Sequence, residues 1–469
     1  MTLLHESQPF KTLQNAALPS LLECVTEERS VTHTHLNYRY TNTFTTAPII
    51  EKLQHIADSQ NCIDSLKTLH EGNPHPETND IIHVFKTRSP EVPHYTKTLT
   101  EIEAFEEHIL DREITDIVQV GIGGSHLGPE SLYHALTAEH SPRFHVHFLS
   151  NNDPYHVYNI LEKCNFETTL FIVASKSGDT LETLTNVAAI HDEAKRRGVS
   201  AEKLKENMVS VTCKHSPLDK PAEYSKSFYI SPEIGGRFSS TSAVGGVFIS
   251  LVFGSIVFKN LLKGAHQMDL ESQEKDLRKN GPLCAALIGI LHRNILNYPA
   301  KVIVPYASRL NRFVSHLQQL DCESNGKSVS TDGTALPYST APIIFGETGT
   351  NCQHSFFQML HQGTDITPVE FITTEQNSVL LRANLEAQEK ALALGTVDAN
   401  AVDNCPGERP STRLTLNDFS AKSIGSLLAF YENLIVIQGL IWNINSFDQP
   451  GVQLGKEIVL DILSKESSK

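Results

Sequence analysis

The sequence lacks a paired-cysteine pattern and an excess of positive charge, and each absence excludes a class of protein. Its eight cysteines are scattered without a C-x-x-C pair along 469 residues. The chain is far longer than a disulfide-stapled scaffold, so we expect reduced thiols and a cytoplasmic protein. Thirty-nine Lys and Arg residues stand against 54 Asp and Glu residues, a formal net charge of −15. Because nucleic acids and anionic membranes attract the opposite sign, we expect neither as a partner.

Leader, membrane and metal-binding patterns are also missing. No basic segment followed by an apolar run opens the sequence, so we expect no secretory leader. The longest uncharged run, 239–258, approaches the length of a membrane span, but it begins with hydroxyl residues and contains glycines. We therefore predict a buried core helix there. His354 and His361 lie seven residues apart on one predicted helix, but no acidic or Cys partner stands at metal-ligand spacing from them, so we expect no metal site.

The length exceeds that of one ordinary hydrophobic core, which favours two domains with extensions. We predict an N-terminal extension over residues 1–95 that packs on the body. A first domain over 96–270 and a second domain over 271–469 with a C-terminal helix would follow. The boundary lies in a charged stretch, 263–282, which we predict to be an exposed helix that joins the two halves.

From residue 100 onward, β-branched runs alternate with helical patterns. "ITDIVQV" precedes the loop "GIGGS" and a helix, and "TTLFIVA" precedes "SKSGDT" and a helix that Asp179 would cap. The second half repeats the pattern with "AKVIVPYA", "APIIF" and "TPVEFI", and a helix from about Ser308 has its apolar residues on one face. Strands that alternate with helices predict an α/β fold with parallel sheets covered on both faces.

Two loops carry candidate ligand contacts. "GIGGSHLG" does not fit the dinucleotide pattern G-x-G-x-x-G, because His126 stands where the next glycine is required, so no nicotinamide cofactor is expected. The loop either lets backbone N–H groups and Ser125 approach a ligand or serves only as a tight turn. In "SKSGDT", three hydroxyls and Lys176 stand at a predicted helix N-terminus, which suits a phosphate group. The alternative is a well-capped helix with a solvated lysine.

Four further residues are ambiguous when each is taken alone. Arg237 follows two glycines that would let its planar guanidinium lie beside a ligand, and Glu323 stands before a Ser-Asn-Gly turn. His354 lies in a predicted helix, and Lys456 follows a glycine. Each such residue is more often an ordinary surface group than a catalytic one.

Taken together, these segments resemble the glucose-6-phosphate isomerase family. The sequence carries, in the family's order, "GIGGSHLGP", "SKSGDTLET", "GGRFSSTSAVG", "QQLDCESNGK", "GETGTNCQHSFFQMLHQGT" and "SFDQPGVQLGK". The resemblance implies two α/β/α sandwich domains of the sugar-isomerase type with mostly parallel sheets. It also implies the reversible isomerisation of glucose 6-phosphate, a small sugar phosphate, to fructose 6-phosphate without a cofactor, in a homodimer.

The resemblance also implies roles for single positions. Glu323 matches the base that moves a proton through a cis-enediol(ate) intermediate, and Arg237 matches the arginine beside the reacting carbons. His354 and Lys456 match the pair that opens the sugar ring, and His354 would come from the neighbouring subunit. The implied substrate-binding positions are Gly124, Ser125, Ser175, Lys176, Ser177, Thr180, Gln319 and Gln449.

Three alternatives stay open. A sugar-phosphate-sensing protein could keep the fold without catalysis, but it would be expected to lose Glu323, His354 or Lys456, and all three are present. A related isomerase of the same fold could also accept mannose 6-phosphate. A metal-dependent isomerase would lose its activity under exhaustive chelation.

Overall fold

The structure, a computed structural model, describes residues 3–82, 84–90, 93–396 and 400–466. The strands are β1 (Ser30–Thr32), β2 (Leu36–Arg39), β3 (Asp116–Val120), β4 (His145–Leu149), β5 (Thr169–Ala174), β6 (Met208–Thr212), β7 (Lys226–Tyr229), β8 (Ala300–Pro305), β9 (Ile343–Gly346), β10 (Val369–Thr374) and β11 (Ser411–Leu416). The helices are α1 (Gln8–Gln14), α2 (Leu21–Cys24), α3 (Ala47–Ser59), α4 (Cys62–His70), α5 (Pro93–Leu110), α6 (Gly124–Leu136), α7 (Pro154–Leu161), α8 (Leu181–Arg196), α9 (Ala201–Glu206), α10 (Ala243–Phe253), α11 (Ser255–Glu271), α12 (Gly281–Ile290), α13 (Asn311–Asn325), α14 (Phe357–Gln362), α15 (Val379–Leu394), α16 (Ala421–Trp442) and α17 (Gln453–Glu466). The predicted α/β fold class is confirmed.

The first sheet has five parallel strands in the order β4-β3-β5-β6-β7. Every residue of β5 is buried, as expected for a central strand with both faces covered. The chain runs from β3 outward to β4 and then crosses back to β5, so the strand order reverses between β3 and β5. Open α/β sheets bind ligands in the crevice outside the carboxyl ends of the strands at such a reversal.

The second sheet has six strands in the order β1-β2-β11-β10-β8-β9. The pairs from β11 to β9 are parallel, whereas β1 and β2 join one edge as antiparallel strands. Because β1 and β2 belong to the N-terminal segment, residues 1–95 contribute strands to this sheet as well as packing on the body. The division into domains at residues 95 and 270 stays a prediction.

A buried ion cluster ties the N-terminal segment to two long helices. The Arg88 guanidinium donates to both carboxylate oxygens of Asp269 on α11, at 2.6 and 2.7 Å, and to Glu432 on α16. This bidentate geometry suits a planar guanidinium. Burial raises the pKa of Glu432 to about 7, against the opposing effect of Arg88. The cluster fixes residues 84–90 relative to α11 and α16.

Helix α16 forms the centre of the core. Of the helices that the structure describes, α16 alone is both long enough and apolar enough to cross a membrane. Its whole apolar window is nevertheless buried inside the protein. Glycines let α11 approach it: a Cβ on Gly264 would stand 1.9 Å from the carbonyl oxygen of Lys422, and one on Gly425 would stand 2.0 Å from that of Leu261. Close backbone packing thus joins the two helices.

The apolar run 239–258 is buried as predicted except at Ser255 and Ile256, but it is not one helix. It covers the end of a 3-10 turn (Gly236–Thr241), all of α10 and the start of α11. Gly254 separates the two α-helices with φ +106°, a conformation that favours glycine. A single glycine in an apolar run is a weak signal for such a break.

The charged stretch 263–282 is not the predicted exposed helix. Helix α11 ends at Glu271, and four of its residues in this stretch, Gly264, Ala265, Met268 and Asp269, are buried. The charges lie mainly on the opposite face and in the turn that follows. An amphipathic helix therefore replaces the solvated linker that the charge density suggested.

Candidate active site

Helix α13 carries the candidate base at its C-terminal end. Its apolar residues at helical spacing, Phe313, Val314, Leu317 and Leu320, are all buried, as is Leu310 directly before the helix, and this agrees with the predicted periodicity. This leaves Gln319 and Glu323, one turn apart, on a partly exposed face. The Gln319 side-chain amide donates to Glu323 Oε2 at 2.9 Å, and the Glu323 side chain is 26% exposed. The carboxylate is therefore held but remains accessible.

A second carboxylate on the same helix has the opposite environment. Asp321 is buried among groups of the second sheet, near the charges of Lys301 and Glu370. Burial raises the pKa of Asp321 to about 7. Because Asp321 is enclosed and Glu323 is accessible, Glu323 is the one of these two carboxylates that can meet a substrate.

Arg237 lies beside Glu323 in the seam between the first sheet and α13. It belongs to the 3-10 turn that follows β7, and it is 1% exposed. Its Nη1 lies 3.7 Å from Glu323 Oε2. The turn reaches this position because α6 begins with Gly124, where a Cβ would stand 2.0 Å from the carbonyl oxygen of Gly236.

Most N–H groups of Arg237 donate to neighbouring protein groups, and these bonds fix the position of its side chain. Nε donates to Ser324 Oγ at 2.6 Å, and Nη1 donates to Gln449 Oε1 at 2.9 Å. Nη2 donates to the carbonyl oxygens of Ser446 at 2.6 Å and Asp448 at 3.0 Å. Burial lowers the pKa of Arg237 to about 10, so the group stays charged at neutral pH. The result is a fixed cation beside the candidate base.

The loop after β5 forms a compact hydroxyl cluster. Ser175 Oγ and Thr180 Oγ1 lie 2.9 Å apart, and the backbone N–H of Gly178 donates to Ser175 Oγ at 3.1 Å. Lys176 Nζ donates to the carbonyl oxygen of Pro232 at 3.1 Å, and Ser177 is exposed. These groups stand where an anion could be bound.

The predicted Asp179 cap is wrong. Helix α8 begins at Leu181 with Thr180 as its N-cap, and no side chain in the described part of the chain caps it. The Thr180 hydroxyl instead pairs with Ser175. The N–H groups of the first turn therefore keep the capacity to bind an anion, which favours the phosphate interpretation over the capped-helix alternative.

The loop after β3 lies against the Gln319–Glu323 face. Gly123 has φ +58°, and a Cβ on it would stand 3.2 Å from the Gln319 amide nitrogen. Gln319 Oε1 is buried without a hydrogen-bond partner in the described ranges, so an unsatisfied acceptor lies beside the candidate base. Ser125 is partly buried on the first turn of α6. The loops after β3 and β5 both leave the carboxyl edge of the first sheet.

The structure does not bring His354 and Lys456 to this group. His354 ends a short 3-10 turn (Asn351–His354) rather than lying in a longer helix, and it is exposed. Lys456 lies on α17, which is exposed at every position from 453 to 466. Within the described residues neither side chain makes a hydrogen bond or ion pair with Glu323 or Arg237. Their place in the site stays a prediction.

Sequence reasoning missed the residues that hold Arg237. Ser324 lies inside the quoted "ESNGK" segment, so its place directly after Glu323 was a usable signal. The carbonyl oxygens of Ser446 and Asp448 left no signal, because every residue carries a carbonyl group.

Comparison with known proteins gives a consistent result. The family model described as "Phosphoglucose isomerase" matches residues 92–469. A glucose-6-phosphate isomerase from Chlamydia pneumoniae is 46% identical over 364 residues, which cover 75% of this chain and 69% of that protein. One from Treponema denticola is 39% identical and covers 92% of this chain and 88% of its own length. The crystal structure of a glucose-6-phosphate isomerase from Chlamydia trachomatis is 34% identical, with TM-score 0.94 over 100% of this chain and 97% of that chain.

Alanine substitution should lower the stability of the protein at Gly124 but not at Gly236, because a Cβ meets the neighbouring backbone only at Gly124. Gly124→Ala would force the 3-10 turn of Arg237 away from α6, so we expect a loss of about 1–3 kcal/mol in the free energy of unfolding. Elsewhere in a helix the same change gains about 0.5–1 kcal/mol. Gly236→Ala is the matched control, because nothing lies within 4 Å of its Cβ. Equal stability of the two variants in urea titrations would contradict the close contact.

Proposed function

The chain belongs to the phosphoglucose isomerase family, and we propose from this membership that it interconverts D-glucose 6-phosphate and D-fructose 6-phosphate. It is an aldose–ketose isomerase, an activity that serves glycolysis and gluconeogenesis. The observation that carries the proposal in the structure is the pairing of an accessible carboxylate with a fixed guanidinium, Glu323 and Arg237, at 3.7 Å. The sensing protein without catalysis is disfavoured, because such a protein needs no accessible base.

Glu323 is the proposed base. Isomerisation moves a proton between C2 and C1 of the open-chain sugar, and one carboxylate can take and return that proton on one face. The contacts of Gln319 and Arg237 both fall on Glu323 Oε2. In the described chain this leaves Oε1 to take the proton. Arg237 would stabilise the charge that develops on the sugar oxygens in the cis-enediol(ate).

The loop after β5 is the proposed phosphate site. Ser175, Lys176, Ser177 and Thr180 stand at the N-terminus of α8, where backbone N–H groups and the helix dipole favour an anion. The phosphate does not react, so its binding energy can orient the distant carbons against Glu323. Gly124, Ser125, Gln319 and Gln449 would contact the sugar between these two ends.

Ring opening is assigned to His354 and Lys456, and the working unit is a homodimer. Both residues are exposed in the single chain. Helix α17 also exposes the apolar residues Leu454, Ile458, Val459, Leu460, Ile462 and Leu463. An apolar helix face of this kind is normally covered by another surface. A second copy would cover such a face and could bring its His354 to the site, which agrees with the dimer implied by the resemblance.

We further propose that the protein is cytoplasmic and that it has two domains of similar type. The eight cysteines are unpaired in the structure, which is compatible with the reducing cytoplasm. We also retain the division into residues 96–270 and 271–469 as two domains of the sugar-isomerase type, each containing most of one sheet.

Removing the charge of Glu323 tests the assignment of the base. Glu323→Gln keeps the size and hydrogen bonds of the side chain but cannot take a proton, so we expect kcat to fall by about 10²–10⁴-fold. Binding of an unreactive hexitol 6-phosphate should change little. Isomerisation is followed by NMR and binding by calorimetry.

Glu202→Gln is the matched control, because Glu202 is exposed on α9. Full activity in Glu323→Gln would end the assignment of the base.

Turnover of glucose, mannose and arabinose phosphates by the unmodified protein, compared side by side, distinguishes the related isomerases. Retention of activity after exhaustive chelation excludes the metal-dependent alternative.

Mixed dimers test whether His354 crosses the interface. Glu323→Gln and His354→Ala chains are each inactive in this proposal, but a mixed dimer has one site with both residues intact. Random mixing should restore about a quarter of the unmodified activity, since half of the dimers are mixed and each has one intact site. Activity that stays at the level of the separate variants, in a mixture shown to exchange subunits, would place both residues in one chain.

A further inference from the structure

Lys327 lies four residues after Glu323, where the chain leaves α13. Its side chain is 12% exposed. Its ammonium donates to the carbonyl oxygens of Ser324 and Asn445, both at 2.7 Å, and of Asp448 at 3.0 Å. It also forms an ion pair with Asp448 Oδ1 at 2.9 Å. One buried cation thus joins the end of α13 to the segment 445–448.

These contacts use all the hydrogen-bonding capacity of the side chain. An ammonium has three donors, and four oxygen atoms lie within 3.0 Å of it. Burial lowers the pKa of Lys327, while the Asp448 carboxylate opposes this change. Lys327 therefore has no donor left for a sugar, and any part it has in the reaction must act through other residues.

Lys327 and Arg237 hold the same two residues. Ser324 accepts from Arg237 through its hydroxyl and from Lys327 through its carbonyl oxygen. The Asp448 carbonyl oxygen accepts from both cations, each at 3.0 Å. Two adjacent cations repel each other, so shared acceptors are needed to keep both in place. The position of Arg237 thus depends on where Lys327 holds Asp448.

The segment 445–448 has other attachments to the body, among them a hydrogen bond from the Asn445 amide to Asp80 Oδ2 at 3.4 Å and a contact between the Phe447 and His75 rings at 6.2 Å. Ser446 Oγ donates to the Asn325 side chain at 2.7 Å, and the Phe447 ring lies 5.4 Å from that of Phe238. The segment leads directly to Gln449, which accepts from Arg237, and then to α17. Loss of the Lys327 bonds would release the Asn445 carbonyl group and would leave the Asp448 carbonyl group held by Arg237.

We propose that Lys327 is a positioning residue for the isomerisation: it fixes the segment 445–448 so that Arg237 keeps its place against Glu323. The inference rests on the proposed function. Lys327 should therefore affect the rate of the proton-transfer step, in which Glu323 moves the proton and Arg237 stabilises the developing charge. It assigns no effect on phosphate binding, because the loop 175–180 lies on the first sheet and makes no hydrogen bond with Lys327 in the described chain.

Lys327→Met tests this role, because it keeps the length of the side chain and removes its donors. We expect kcat for glucose 6-phosphate to fall by about 10–10²-fold, since small errors in the placement of catalytic groups can cost that much. KM and the affinity for inorganic phosphate should stay near the unmodified values. Lys327→Arg restores a cation with a different shape and should give an intermediate kcat at unchanged KM.

Lys275→Met is the control, because it removes an ion pair with Asp64 from a lysine that is 58% exposed and distant in sequence from the site. We expect its kcat to be unchanged. If Lys327→Met does not fold, the comparison of Lys327→Arg with the unmodified protein decides: a lower kcat at equal KM and equal Tm supports the role, and an equal kcat overturns it. A folded Lys327→Met protein with unchanged kcat also overturns it. An inactive unmodified protein would overturn the proposed function and this inference together, whereas equal activity of all forms would overturn the inference alone.

Discussion

The site depends on the burial of one guanidinium. Arg237 is enclosed in the seam between the first sheet and α13. It bonds to Ser324, 87 residues along the chain, and to Ser446, Asp448 and Gln449, which are 209 to 212 residues along it. A buried cation is stable only when its donors are satisfied, and removal of such a group leaves its partners unpaired. The same bonds therefore stabilise the junction and fix the charge beside Glu323. Gly124 and the Lys327 contacts matter because they fix the position of this group.

The arrangement also explains how an acidic chain can bind an anion. The net charge of −15 is the sum over the whole chain, whereas the proposed phosphate site uses local N–H groups, hydroxyls and Lys176 at the start of α8. The proposed chemistry lies at the other end of the same crevice, on α13. Because the phosphate binds away from the reacting carbons, its binding energy can orient those carbons while the phosphate group itself does not react.

Much of the fold could be predicted from the sequence because the pattern of apolar residues reflects burial. The β-branched runs became β3, β5, β8 and β10, and the apolar face of α13 followed helical spacing. The pairing of β1 and β2 with β11 could not be predicted, because pairing between distant segments depends on the whole fold. The break at Gly254 and the Thr180 hydroxyl that pairs with Ser175 instead of capping α8 also depend on packing that the local sequence does not encode.

The candidate site was predicted in a different way. Single residues such as Glu323 and Arg237 were ambiguous, and the resemblance gave them roles. The structure adds the contact between them and the bonds that hold it. It does not bring His354 to the site within one chain, which agrees with a proposal in which His354 comes from a partner. No partner origin is implied for Lys456, and its place in the site stays a prediction. Backbone carbonyl groups that orient Arg237 were beyond any sequence pattern.

The most direct test of the account is a crystal structure of the protein with fructose 6-phosphate bound. The account predicts that the phosphate lies at the start of α8 against Ser175 and Thr180, and that C1 or C2 of the same molecule lies within about 3.5 Å of the Glu323 carboxylate. Arg237 should contact an oxygen on these carbons. A sugar phosphate bound with its reacting carbons away from Glu323, or with its phosphate outside the loop 175–180, would contradict it.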